Sequence, residues 1–140
     1  MINEKQLITA AINARKSAYT PYSKFKVGAA LLTKDGKIYT GCNIECASYS
    51  GGNCAERTAL FKAVSDGHSE FKAIAVVGGK SNLEDSFNDY CPPCGICRQV
   101  LREFCDPNEF QIIIAKNADE YKTFLFKDIL PMSFGPDNLK

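Results

Sequence analysis

The chain has 140 residues, 45% hydrophobic and 24% charged, the size and make-up of one globular domain with one core. Seventeen Lys and Arg against sixteen Asp and Glu leave a formal net charge of +1, without the basic excess of a surface that tracks phosphates, so no nucleic-acid partner is expected. No apolar run approaches the roughly 20 residues of a membrane span, and Met1 to Arg15 lacks the basic start and apolar centre of an export signal; the expected setting is the cytoplasm, with no membrane partner.

No internal repeat, low-complexity stretch or long Pro/Gly linker divides the sequence, so residues 1–140 are read as a single domain. Asn3 can cap a first helix, with Gln6 three residues on, and Leu7, Ile8, Ala11, Ile12 and Ala18 follow one helical face until Thr20-Pro21 stops it. From Phe25 the period becomes two. Phe25, Val27, Ala29 and Leu31 share one face of a strand, and Asp35-Gly36 supplies a tight turn into a second strand over Lys37 to Asn43. Helical spacing returns through Ala55, Ala59, Leu60, Ala63 and Val64, over Ala55 to Ser65, with Gly67 placed to end the helix. The β-branched run Ala73 to Val77 predicts a short buried strand, and a polar loop from Gly78 to Asp89 leads to Pro92-Pro93. Beyond it, Ile96, Cys97, Val100, Leu101 and Phe104 mark a third helix starting near Gly95, and Phe110 to Ala115 and Tyr121 to Phe126 predict two further strands. Helices alternating with buried strands favour a mixed sheet covered on both faces.

Seven cysteines is a high count and an odd one, which argues against a complete set of internal disulfides. In a reducing compartment clustered thiols are metal ligands or redox groups more often than staples, and Cys91, Cys94 and Cys97 lie at fixed spacing. Cys54-Ala55-Glu56 and Pro93-Cys94-Gly95-Ile96-Cys97 each run straight into a predicted helix. At a helix N-terminus the unpaired N–H groups and the helix dipole favour thiolate over thiol, and thiolate is the form that binds Zn²⁺. Cys94 and Cys97 can chelate one ion and Cys54 can add a third sulfur, leaving one tetrahedral position open, which is the mark of a catalytic site. Glu56, two residues after a ligand, is the natural proton carrier, and Arg57 can draw charge from the thiolates by donating hydrogen bonds to them. Two other readings stand on spacing alone: a structural four-cysteine site closed by Cys91, and a C-x-x-C redox pair. Cys42, Cys46 and Cys105 are expected to be small buried residues, and His68, beside Gly67, a surface residue.

Four segments together, Tyr22-Ser23-Lys24-Phe25 with Val27-Gly28-Ala29-Ala30, Gly41-Cys42-Asn43-Ile44-Glu45, Cys54-Ala55-Glu56-Arg57-Thr58-Ala59 and Pro93-Cys94-Gly95-Ile96-Cys97-Arg98-Gln99-Val100, resemble the small homotetrameric cytidine deaminases of pyrimidine salvage, and the likeness runs through nearly the whole chain. The resemblance implies an α/β fold, a three-layer α/β/α sandwich with a mixed five-stranded sheet, and a hydrolase that converts cytidine and 2′-deoxycytidine to uridine and 2′-deoxyuridine with release of ammonia. It implies Zn²⁺ on Cys54, Cys94 and Cys97, and Glu56 carrying protons from water to ring N3 and to the departing amino group. By the same resemblance the Ala55 N–H and the Glu56 carboxyl read the ring's amide edge, Asn43 and Glu45 clamp the ribose, and Phe25 lines the base pocket. Phe134, in the tail Ile129 to Pro136, is implied to reach a neighbouring subunit's site and stack on the base, and Tyr49 to contact another subunit, in a homotetramer with shared active sites. The sequence departs from the family pattern at Cys46, where Asn is usual, at Gly51-Gly52, where bulkier residues are common, and at Pro92, where Ser or Thr is frequent. Asn43-Ile44-Glu45 argues for a ribose substrate over a nucleoside antibiotic of the blasticidin S type, and the charge balance argues against a polynucleotide.

Overall fold

Asn3 caps the first helix, α1 (Glu4–Arg15), its side-chain oxygen accepting the Gln6 N–H at 3.1 Å. In the computed structural model, which describes residues 1–140, α1 ends at Arg15, well before the expected stop at Thr20-Pro21, and Ala18 is buried beyond the helix. Tyr19 leaves the helix to pair with the segment at Ile44, its N–H donating to the Asn43 carbonyl at 3.0 Å and its carbonyl accepting the Glu45 N–H at 2.9 Å. The helix end is anchored by the Arg15 side chain. It is 2% exposed and donates to the carbonyls of Lys26, Gly79, Lys80 and Leu83, at 2.6 to 2.9 Å, with the Phe87 ring 4.5 Å away. A buried guanidinium must spend its donors. Doing so pins the end of α1 to the sheet.

Five strands follow in one sheet: β1 (Phe25–Thr33), β2 (Ile38–Cys42), β3 (Phe71–Lys80), β4 (Gln111–Asn117) and β5 (Glu120–Leu125), in the order β2-β1-β3-β4-β5. β3 and β4 pair parallel and every other pair is antiparallel, so the sheet is mixed. The hairpin between β1 and β2 turns at Asp35-Gly36, as the sequence predicts. β3 runs on through Gly78 and Gly79, which the sequence reading assigned to a loop, because those glycines pair with Val27 and Lys26 of β1.

Helix α1 covers one face, packing on Ala30, Leu32, Ala73, Ala75, Val77, Ile113 and Ala115. Helices α2 (Ala55–Ser65) and α3 (Gly95–Arg102) lie on the other, over Ala29, Leu31, Ile74, Val76, Ile112 and Ile114. Strands buried on both faces need apolar residues at successive positions, which is why Ala73 to Val77 reads as an unbroken apolar run. The architecture is the expected three-layer α/β/α sandwich. A short helix, α4 (Phe126–Ile129), follows β5, and no helix is long and apolar enough to cross a membrane.

The first turn of α2, which matters most below, is seated directly on β2. A Cβ at Gly41 would lie 2.4 Å from the Ala55 carbonyl oxygen and 2.5 Å from the Ala59 nitrogen, so only glycine lets the helix backbone come this close. Gly41→Ala is expected to lower stability by about 3 kcal/mol, the upper end of overpacking costs, read as a fall in the urea midpoint at unchanged slope.

Candidate active site

Two helices start at the site. Cys54 and Cys94 occupy the positions just before α2 and α3 in extended backbone, and Cys97 lies in the first turn of α3. Three thiols thus face one point from two helix N-termini, where free N–H groups favour negative charge. Cys54 Sγ and Cys94 Sγ are 3.8 Å apart, and all three sulfurs lie within 4.8 Å of one another. A tetrahedral ion with metal–sulfur bonds of about 2.3 Å sets its sulfurs about 3.8 Å apart, so the cluster has the span zinc requires. Cys97 is buried, Cys54 half-buried and Cys94 exposed, which leaves one side of the cluster open.

Charge is shared within the cluster. A hydrogen bond from Cys97, with further ones from Arg57 and Cys94, pulls Cys54 down to about 5 against the opposing effect of burial. That hydrogen bond to Cys54, followed by burial, pushes Cys97 up. Arg57 Nη2 donates to Cys54 Sγ at 3.3 Å, the contact expected from sequence, and its Nε is buried with no partner. Cys91 stands apart. It is not in the three-thiol group, burial pushes its thiol up to about 12, and its Sγ is turned against Gly78 of β3. The four-cysteine shell weighed from spacing is therefore not assembled.

Glu56, in the first turn of α2, is 4% exposed. Its carboxyl lies against its own N–H, the Cys97 thiol and the Cys94 N–H; burial pushes its pKa up and the Cys54 charge adds to that rise. Ala55 opens α2, so its N–H is one of those the helix leaves free.

A cavity of about 360 Å³ opens beside Cys54 and Arg57, with Tyr22, Ser23, Asn43, Glu45, Cys46 and Tyr49 in its wall. A two-residue bridge brings Asn43 and Glu45 there: the Ile44 N–H donates to the Asn53 carbonyl at 3.0 Å and the Asn53 N–H to the Ile44 carbonyl at 2.9 Å, immediately before Cys54. The Asn43 amide is fixed in turn, Oδ1 accepting the Val27 N–H at 2.8 Å and Nδ2 donating to the Phe25 carbonyl at 2.9 Å. Phe25 opens β1 with its ring edge close to Gly78 and 40% of its surface exposed, but it does not line this cavity. Nor does Phe134, which is 57% exposed; its carbonyl accepts from Gln99 Nε2 of α3 at 2.9 Å.

Sequence reasoning missed two features. Arg98 donates to the Pro93 carbonyl at 2.8 Å and to the Ile129 carbonyl at 2.6 Å, tying the cysteine loop to the tail, and the Tyr22-Ser23 segment grips Glu45. Ser23 sits in a segment quoted for the resemblance, but nothing local marks it as a partner of a residue so far along the chain. Two expectations are corrected: of Cys42, Cys46 and Cys105 only Cys105 is buried, Cys46 being exposed in the cavity wall, and the His68 side chain is 22% exposed, packed 5.3 Å from the Tyr39 ring.

A sequence profile described as the cytidine and deoxycytidylate deaminase zinc-binding region matches residues 1–113. The chain belongs to the cytidine and deoxycytidylate deaminase family. Among proteins of that family, the cytidine deaminase of Sporosarcina psychrophila is 49% identical over 135 residues, spanning 96% of this chain and 93% of the relative. That of Halalkalibacterium halodurans is 44% identical over 138 residues, 99% of this chain and 98% of the relative. The crystal structure of the Burkholderia pseudomallei cytidine deaminase superposes with a TM-score of 0.81 at 45% identity, over 95% of this chain and all of the other. In the deaminase family the metal is zinc, and the thiol set here fits it on two counts, soft donors and sulfur spacing.

Proposed function

We propose that residues 1–140 act as one catalytic domain, a zinc-dependent cytidine deaminase of pyrimidine salvage that hydrolyses cytidine and 2′-deoxycytidine to uridine and 2′-deoxyuridine with release of ammonia. The observation that carries the reading is a buried carboxyl, Glu56, held in the helical turn that leaves a three-thiol cluster beside an open cavity. Cys54, Cys94 and Cys97 hold the zinc. When bound, the zinc supplies the Lewis acidity that makes water a nucleophile near neutral pH.

The remaining work falls to side chains. Glu56 takes one proton from the attacking water and passes it to ring N3 so that C4 becomes electrophilic, then takes the second from the new C4 hydroxyl and delivers it to the amino group, which leaves as ammonia as the C4–N bond breaks and the C4 carbonyl forms. One water is consumed and one ammonia released. The Ala55 N–H and the Glu56 carboxyl hold the ring's amide edge, which fixes C4 in the line of attack. Arg57 draws charge from the Cys54 thiolate and so offsets the surplus of three thiolates over a dication. Asn43 and Glu45 clamp the sugar, and Phe25 packs against the base. Free nucleoside, not polynucleotide, is the substrate, in keeping with a formal net charge of +1.

The active form is a homotetramer in the cytoplasm. Supporting this are Phe134, exposed and outside its own chain's cavity, where it is free to enter a neighbour's site and stack on the base, and Tyr49, 76% exposed at the cavity edge, as a subunit contact. Seven free cysteines suit a reducing compartment.

The test is direct. Purified chain of known zinc content is expected to convert cytidine and 2′-deoxycytidine with ammonia released one for one with the fall in ultraviolet absorbance. A fully zinc-loaded protein that turns over neither nucleoside sinks the proposal.

A further inference from the structure

Glu45, a half-buried carboxylate, has an unusual set of partners. No Lys or Arg pairs with it, and three donors from one turn hold it instead: the Tyr22 and Ser23 N–H groups both reach Oε1 at 3.1 Å, and the Ser23 hydroxyl donates to Oε2. Successive backbone N–H groups converging on one anion form a nest, which turn backbone can supply. The turn ends at Lys24, held at φ 57 although it carries a side chain. Backbone of this kind persists only where its surroundings hold it. They do so here: the Lys24 N–H donates to the Thr20 carbonyl at 3.2 Å and its carbonyl accepts the Ser81 N–H at 2.8 Å. Ser23 Oγ also accepts the Phe25 N–H at 3.1 Å, which fixes the hydroxyl in place, and of its two acceptors Glu45 Oε2 is nearer than the Phe25 carbonyl at 3.4 Å.

The consequence concerns the substrate. Tyr22, Ser23 and Glu45 all line the cavity beside Cys54. An ionised carboxylate has about four acceptor sites, and three donors from the turn leave about one for a ligand. We propose that Ser23 is a positioning residue for nucleoside recognition, locking the Glu45 carboxylate in the Tyr22–Lys24 turn so that one acceptor site faces a sugar hydroxyl. The proposal rests on the reading of Glu45 as part of the sugar clamp. In keeping with it, the Ser23 hydroxyl is the chief cause holding Glu45 below the usual carboxylate range. The arrangement makes nucleoside binding pre-organised, since the carboxylate does not have to be ordered when the sugar arrives.

Steady-state kinetics with cytidine on the zinc-loaded chain test it, using Ser23→Ala, Ser23→Thr, Glu45→Gln and the Ser23→Ala/Glu45→Gln double variant. Ser23→Ala is expected to raise KM roughly tenfold, the scale of one hydrogen bond to a charged group, with kcat within about twofold. Ser23→Thr, which keeps the hydroxyl, is expected to restore KM. In the Glu45→Gln background Ser23→Ala is expected to cost little further, because the charged carboxylate it positions is gone. Ser23→Cys, whose thiol is a weak donor, gives the same comparison if the alanine variant does not fold. Additive costs in the double variant, or a fall in kcat at unchanged KM, would overturn the role of Ser23 while leaving the clamp standing if Glu45→Gln alone raises KM. An unchanged KM in Glu45→Gln, or a wild-type chain that does not deaminate cytidine, overturns the clamp or the activity itself, and the inference with it.

Discussion

Glu56→Gln is expected to yield a folded, zinc-loaded protein that turns over cytidine roughly 10³- to 10⁴-fold more slowly, the upper range for loss of a general acid–base group. The amide has the shape of the carboxyl and can still face the Cys94 N–H, so α2 and the thiol cluster have no reason to move. It cannot accept and return a proton, and the proposed cycle asks Glu56 to do both. Stability is not expected to fall, because the amide fills the same buried space and keeps a hydrogen-bonding oxygen there. The measurement pairs loss of ultraviolet absorbance with zinc content. A variant that keeps zinc and more than about a tenth of the wild-type kcat would take Glu56 out of the proton-carrying role.

Serine at two cysteines separates the catalytic cluster from its structural rival. Cys97→Ser is expected to lose zinc and with it all detectable turnover, because Cys97 supplies one of only three sulfurs within reach of one point. It is also expected to unfold at lower urea, since an ion present at about 100 times its Kd contributes about 2.7 kcal/mol to the folded state. Cys91→Ser is expected to keep full zinc and activity, because the Cys91 thiol lies outside the cluster and burial, which raises it to about 12, keeps it protonated. Zinc lost from Cys91→Ser and retained in Cys97→Ser would reverse the assignment. Metal analysis and urea titration of both variants decide between the two patterns.

Much of the architecture could be read before any coordinates, for reasons that are local. The Asn3 cap, the Ala55–Ser65 helix and the turn at Asp35-Gly36 depend on neighbours within a few residues, and all three stand where the sequence puts them. The same holds at the site. One helical turn separates Cys94 from Cys97, and Cys54 precedes Glu56 and Arg57 within a turn of a helix start, so the three clustered thiols and the two side chains beside them stand out from spacing. The family likeness extends the proposed site to Asn43, Glu45, Phe25 and Phe134, which no local pattern marks.

Where the sequence reading stops short, the cause is a partner far along the chain. Gly78 and Gly79 look like a loop until β1 lies alongside them, and α1 ends early where the chain turns to pair Tyr19 with the segment at Ile44. Cys46 resembles a core residue by type, yet the bridge between Ile44 and Asn53 turns its loop outward along the cavity.

The sequence by itself thus determined that three long helices form, which face of each is apolar and which thiols share a helix start, since these follow from backbone period and capping within a turn, whereas the short α4 was not read. Only the tertiary structure decided the strand order, the exclusion of Cys91 from the cluster and the capture of Glu45 by the Tyr22–Lys24 turn. Each of those depends on which distant segments meet. Contacts of that kind are set by the packing of the whole core, and no short window of residues contains it.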